Sequence, residues 1–377
     1  MNYYKINPSN PQEFFADLGA DVAGSKIMGS KTKTNMLYIK DLHVGAANIL
    51  KQDALSIGAD LAVPVGTIIA KEKYVNAVLI GTKKHFEILS KKELTQPFGL
   101  KGLAQELKNF ALSSHHTTKI MGVLNANDDS FFEKSRFQGP KALDHIQTMI
   151  QDGADIIDIG GVSTKPGSVG VSVEEELARV QPICDAIKEQ KLYEQTIFSI
   201  DSYTPKVIEY ALNSGFTIVN DITGLANDEV AKITAKYGAT IVIMHMQGTP
   251  KDMQQNPHYE DVMIEVDQFF KDRIAKAKDF GIKNIILDVG IGFGKTLEHN
   301  LTLLRNLEHF SHFGYELLMG ASRKSMIDKI VPSDVSQRLA GTLAIHLDSI
   351  SKGASIIRCH DVAEHFQAIK VLEAIKG

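Results

Sequence analysis

Acids, amides and cations recur just beyond short apolar runs in this chain. Asn125 follows KIMGVL, Thr164 lies in the loop after DIIDI, Asp201 follows IFSI, and Asn220 follows TIV. His245 follows TIVIM, Asp288 closes NIIL, Ser322-Arg323-Lys324 follows ELLMGA, and Arg358 and His360 follow SII. A carboxylate can accept two N–H bonds from one ligand edge, and an amide both donates and accepts. Arginine pairs with phosphate oxygens through two parallel N–H bonds. Two glycine-rich loops lie among these residues, Gly160–Gly167 and Gly290–Lys295. Glycine lets backbone approach a ligand closely and supplies positive φ. Neither loop has P-loop spacing. Together with the acids and amides, they point to a polar ligand that carries phosphate.

The elements that must position these residues alternate regularly. Short apolar strands are expected at 119–124, 155–159, 196–200, 217–220, 240–244, 284–287, 316–319 and 355–358. Runs rich in Ile, Val, Leu and Met, unbroken by charge, suit strands buried on both faces. Helices are expected at Val173–Gln190, Pro205–Ser214 and Tyr259–Phe280. Thr204 is placed as an N-cap before Pro205, and Gly215 and Gly281 as helix ends. A doubly wound open sheet would alternate in the same way. Eight units with polar residues after nearly every strand favour a (β/α)8 TIM barrel, which carries its chemistry at the C-terminal strand ends.

Such a barrel takes roughly 250 residues, and the chain has 377. The expected division is therefore a small mixed α/β domain at 1–112, a linker at 113–118 and the barrel at 119–377. In the first part NMLYIKDL and NAVLIGT read as strands, and AANILKQDALSIG and FGLKGLAQELKNFAL as helices. Lys71, Lys73, Lys83 and Lys84 form a loose basic cluster that reads as a solvated face. His115 and His116 read as ordinary linker histidines. A net charge of -4 gives no bulk attraction to nucleic acid or membrane. No apolar run approaches the ~20 residues of a membrane span. With only Cys184 and Cys359, free thiols and a cytoplasmic location are expected, without a cysteine zinc site.

Seven segments carry a specific resemblance: MGVLNANDDSF, GADIIDIGGVSTKPGS, SIDSYTPKV, VNDITG, HMQGTP, DVGIGFGKTLEHN, and GASRKS with RLAGTLA and IIRCHDV. In this order they resemble the dihydropteroate synthases, of the pterin-binding barrel superfamily. The resemblance covers the barrel half and leaves the first hundred or so residues outside it. It implies a folate-biosynthesis transferase, the sulfonamide target, that joins 6-hydroxymethyl-7,8-dihydropterin pyrophosphate to p-aminobenzoate and releases pyrophosphate. It implies that Asp201, Asn220, Asp288, Lys324 and Met244 hold the pterin. Thr164, Lys165, Pro166, Phe293 and Ser322 would contact p-aminobenzoate, and Asn125, Arg358 and His360 the pyrophosphate. Lys324, Arg358, His360 and Asn125 would carry catalysis, with Mg²⁺ held at Asn125. A cytoplasmic homodimer acting on small molecules is also implied.

The chain departs from the family pattern at four places. Asn127 and Asp128 stand in the first loop where the family has Thr-Pro, which frees φ and restores a backbone donor. Lys165 replaces an arginine and loses its planar fork. Val289 replaces a proline, and Gln247 an arginine that could meet phosphate. Rival readings are a pterin-binding corrinoid methyltransferase, which has no use for Ser322–Ser325, and a pterin-binding module without turnover.

Overall fold

The computed structural model describes residues 1, 4, 6, 8, 10–111, 117–126, 140–162 and 171–376. The chain divides into two compact units. One comprises Met1–Ser114 with Ser311–Gly314 and Ala374–Gly377, the other His115–Phe310 with Tyr315–Glu373. The linker histidines His115 and His116 lie outside the described residues.

The first unit holds a three-stranded antiparallel sheet of β1 (Thr34–His43), β2 (Asp60–Ala62) and β3 (Tyr74–Thr82), with β3 in the middle. Helices Val44–Leu55, Lys83–Lys92 and Leu100–Ala111 supply apolar faces. Leu50, Leu61, Leu79, Leu89, Leu100 and Leu107 are fully buried in one core. The expected strands and helices are present. The three-residue strand β2 is too short to show a period. Lys83–Lys92 is a helix, and only its charged face was visible as a basic cluster. Thr82 caps this helix in a reciprocal box with His85.

The second unit is a closed barrel of eight parallel strands. These are β4 (Lys119–Asn125), β5 (Ile156–Gly160), β6 (Ile197–Asp201), β7 (Ile218–Asp221), β8 (Thr240–Met244), β9 (Ile285–Asp288), β10 (Glu316–Met319) and β11 (Ala354–Cys359). Pairing β11 to β4 closes the ring. All eight expected strands are present, and their ends shift by at most one residue. One expectation fails in detail: β5 is not free of charge, because Asp158 lies within it and is fully buried. Gly215 and Gly281 follow helices with φ of +100° and +82°. Thr204 occupies the N-cap position of Pro205–Asn213 but makes no side-chain cap bond. Its hydroxyl donates to Glu176 instead.

Side chains along a strand alternate faces. Met121, Ile156, Ile218, Val242, Ile286, Leu318 and Ile356 form one buried apolar layer across the barrel. Two residues further along these strands stand Val123, Asp158, Asn220, Met244, Asp288, Gly320 and Arg358. On β6 the register pairs Asp201 with Asn220 and with Gly160. The apolar layer thus ends in a polar floor made by the same faces of the same strands.

Candidate active site

Arg358 is the hub of that floor. Its Nε donates to Asp158 Oδ2 at 2.7 Å and its Nη2 to Asp201 Oδ2 at 2.7 Å. The side chain of Asp158 is fully buried and that of Asp201 is 10% exposed. Asn220 Nδ2 donates to the same Asp158 Oδ2 at 2.9 Å. This bond turns the Asn220 amide oxygen to the ligand side as an acceptor. Asp158 Oδ1 is buried and meets no hydrogen-bond partner among the described residues.

Asp288 is joined to the floor through space that Gly320 leaves open. A Cβ on Gly320 would sit 3.9 Å from Arg358 Cδ and 3.9 Å from Asp288 Oδ2. Asp288 Oδ1 accepts from Gly290 N at 2.8 Å, leaving Oδ2 toward the floor. Burial pushes the Asp201 carboxyl up to about 7, against the opposing Arg358 guanidinium. Burial also raises Asp288.

The loop after β9 forms one wall. Gly290, Gly292 and Gly294 have φ of +67°, +83° and +60°, so the expected need for positive φ is met. A Cβ on Gly290 would stand 1.9 Å from His245 O, so only glycine fits. Lys295 is 1% exposed. Its Nζ lies 2.9 Å from His245 Nδ1, 3.2 Å from His245 O, 3.0 Å from Gly290 O and 2.9 Å from Phe293 O. One ammonium thus ties the loop to the end of β8. Burial pulls it down to about 7, and pulls His245 down to about 2, where the imidazole is neutral and can accept.

Lys324 leans across this wall. Its Nζ stands 4.1 Å from the Phe293 ring centroid and donates to Ile291 O, a cation–π contact. Phe293 is half-buried, with Lys324 over one face. Burial lowers Lys324 to about 8, while Asp288 favours its charge.

Ser322 and His360 sit against each other. Ser322 Oγ lies 2.9 Å from His360 Nδ1 and accepts from His360 N at 3.3 Å. Burial, with Arg358 adding to it, holds His360 at about 3. The neutral ring and the serine hydroxyl share one hydrogen bond at Nδ1. Arg323 faces away: it grips Asp361 through Nε and Nη2 at 2.9 and 2.7 Å. Gln247 pairs both backbone groups of His258, at 2.8 and 3.1 Å, and Val289 is buried.

The structure therefore gathers Asp201, Asn220, Asp288, Arg358 and Lys324 at the C-terminal end of the barrel, with Met244 beside Asp288 in register. Ser322 and His360 stand together beyond β10 and β11. Asn125 ends β4, paired with Gly160. Thr164, Lys165, Pro166, Asn127 and Asp128 lie outside the described residues. Sequence reasoning missed Asp158, Lys295 and Gly320. The available signal for Asp158 was a lone acid inside an otherwise apolar strand.

Comparison with known proteins places this geometry in context. A model of the pterin binding enzyme family matches residues 121–360. A bifunctional dihydropteroate synthase/dihydropteroate reductase of Helicobacter pylori is 41% identical over 373 residues, 99% of this chain and 98% of that protein. The dihydropteroate synthase of Escherichia coli is 44% identical over 258 residues, 68% of this chain and 90% of its own length. Among solved structures, Yersinia pestis dihydropteroate synthase with a sulfonamide drug complex superposes with a TM-score of 0.65. It is 38% identical and covers 69% of this chain and 94% of its own.

Proposed function

The chain belongs to the pterin binding enzyme family, and we infer that it works as a dihydropteroate synthase. It is a transferase of folate synthesis that condenses 6-hydroxymethyl-7,8-dihydropterin pyrophosphate with p-aminobenzoate to dihydropteroate and pyrophosphate. The observation that carries the reading is Arg358 bridging Asp158 and Asp201 beside Asn220 and Asp288. Relatives named for the synthase, and a serine-lysine loop the methyltransferase reading leaves idle, set the corrinoid alternative aside.

The floor suits a flat heterocycle edge. Asp201, Asp288 and the Asn220 oxygen supply acceptors for ring N–H groups, which would each cost about 1–3 kcal/mol if buried unpaired. Arg358 pairs with both adjacent carboxylates and favours the ionised form of Asp201 against the burial that raises it. The two bonds it spends on them leave Nη1 to face an anion. Lys324 supplies a further donor, and His360 a further polar contact, for the departing diphosphate. The C–O bond to pyrophosphate breaks, the dihydropterin delocalises the positive charge, and the aromatic amine nitrogen bonds to the methylene carbon. Its proton leaves to solvent or phosphate. No covalent enzyme intermediate is required, so positioning and electrostatics carry the rate.

We also propose Mg²⁺ as the cofactor. The family resemblance assigns its protein ligand to the amide oxygen of Asn125, at the end of β4. Mg²⁺ accepts such a sparse protein set, because it keeps waters and substrate phosphates as ligands. When bound it would neutralise the leaving diphosphate. Thr164, Lys165, Pro166, Phe293 and Ser322 are proposed as the p-aminobenzoate contacts. The Ser322 hydroxyl is already turned to His360, so its contact requires that bond to be shared. A homodimer and a cytoplasmic location are proposed from the family resemblance; light scattering and cell fractionation read them.

The full-length match to the Helicobacter pylori protein supports a second activity, reduction of dihydropteroate. Two assays test the pair. Pyrophosphate release must require both the pterin pyrophosphate and p-aminobenzoate, and full-length protein must consume a reduced nicotinamide only when dihydropteroate is added. Absence of the first removes the synthase; absence of the second removes the reductase.

A further inference from the structure

The loop that carries Ser322 and Lys324 is held from behind by one helix. Helix Leu339–Ser351 presents Thr342 and His346 one turn apart. Arg323 N donates to Thr342 Oγ1 at 2.9 Å, and Ala321 N donates to His346 Nε2 at 3.1 Å. Behind His346 stands His365, with His346 Nδ1 and His365 Nε2 2.8 Å apart. His365 Nδ1 in turn lies 2.6 Å from Asp361 O. Both rings are 1% exposed.

The amide of Ala321 can only donate, and the carbonyl of Asp361 can only accept. Every proton between them is therefore placed. His346 accepts at Nε2 and carries its proton on Nδ1. It gives that proton's hydrogen bond to His365 Nε2, and His365 carries its own proton on Nδ1. Burial keeps both rings neutral. Asp361 closes the circuit, because its carboxylate grips Arg323. The chain Ala321–His346–His365–Asp361–Arg323 thus locks the loop after β10 to the loop after β11. These are the two loops whose Ser322 and His360 meet.

We propose that His346, backed by His365, is a positioning residue for the synthase reaction: it fixes the Ser322–Lys324 loop at working height over the polar floor. The proposal rests on the synthase reading. The pair acts on the reaction through Ser322 and Lys324, the two site residues that this loop carries.

The test uses the full-length enzyme, with wild-type turnover confirmed first so that failure of the synthase reading is seen separately. His346→Leu removes the acceptor, and His346→Gln restores one at the same place. His346→Leu is expected to lower kcat/KM for p-aminobenzoate at least tenfold. His346→Gln should recover most of the loss. His365→Leu should cost nothing further in the His346→Leu background, because it acts through that ring. A His346→Leu variant at wild-type kcat/KM, or equal defects in the Leu and Gln variants, would overturn the proposal. Should His346→Leu fail to fold, nitrogen-15 NMR of the wild-type histidines decides: Nδ1–H tautomers at both positions support the circuit, and an Nε2–H form at His346 sinks it.

Discussion

Asn220 and Arg358 meet on a single atom, Asp158 Oδ2, at 2.9 and 2.7 Å. Neither ligand-facing residue can move without disturbing the other through this acid. Removing one partner of a buried, hydrogen-bonded ion pair costs about 3–5 kcal/mol. Asp158→Ala is therefore expected to lower stability by about that amount in urea unfolding. Asp158→Asn keeps the shape and removes the charge. It should raise KM for the pterin substrate and cut kcat/KM at least tenfold, about 1.4 kcal/mol. A variant with wild-type KM would remove Asp158 from the site.

Activity should have a bell-shaped pH profile. Asp201 titrates at about 7, above its ordinary 3.8, so its acceptor form is lost as pH falls through about 7. Lys324 titrates at about 8, below its ordinary 10.5, so its charge is lost as pH rises through about 8. The limbs of kcat/KM belong to the free enzyme. Lys295 also lies at about 7, so variants must assign them. Lys324→Arg should remove the alkaline limb. Arg358→Met deletes the cation that favours ionised Asp201 and should move the acid limb upward. An acid limb that stays in place would exclude Asp201 as its source.

The barrel was legible because strands buried on both faces read as apolar runs, and their polar successors mark the rim. The floor was legible only in part. Asp201, Asn220 and Asp288 stand at strand ends, where polarity shows. Asp158 stands inside an apolar run, and its meaning appears only when closure of the barrel brings β11 within one strand of β5, 200 residues apart in sequence. The ties that hold the walls were less visible still. Lys295 reads as a surface lysine, and only closure of its loop onto His245 buries it. His346 and His365 read as unremarked helix residues, because no local pattern says which helix backs which loop.

Asn125 and Arg358 can be separated by metal. Asn125→Ala and Arg358→Ala are each expected to cut kcat/KM at least tenfold. Chelation should abolish wild-type turnover, and Mg²⁺ should restore it. Asn125→Ala should need more Mg²⁺ for half-maximal rate, whereas Arg358→Ala should keep the wild-type requirement. Full activity in chelator would dismiss the metal, and equal Mg²⁺ requirements in both variants would dismiss Asn125 as its ligand.

The first unit carries a testable acid of its own. Glu93 is fully buried, and neither of its oxygens meets a donor among the described residues. Asp53 lies beside it, itself held by Lys92 at 2.7 Å. Burial, with Asp53 adding to it, pushes Glu93 from 4.5 to about 7. The folded chain then keeps a proton that the unfolded chain releases above about 4.5. Its contribution is complete below that pH and is lost as pH rises through about 7. Glu93→Gln mimics the protonated acid. It should match wild type in urea midpoint near pH 4.5 and exceed it above pH 7, where a buried carboxylate would otherwise form. A variant less stable than wild type at pH 8 would show that Glu93 is ionised and partnered in the folded protein.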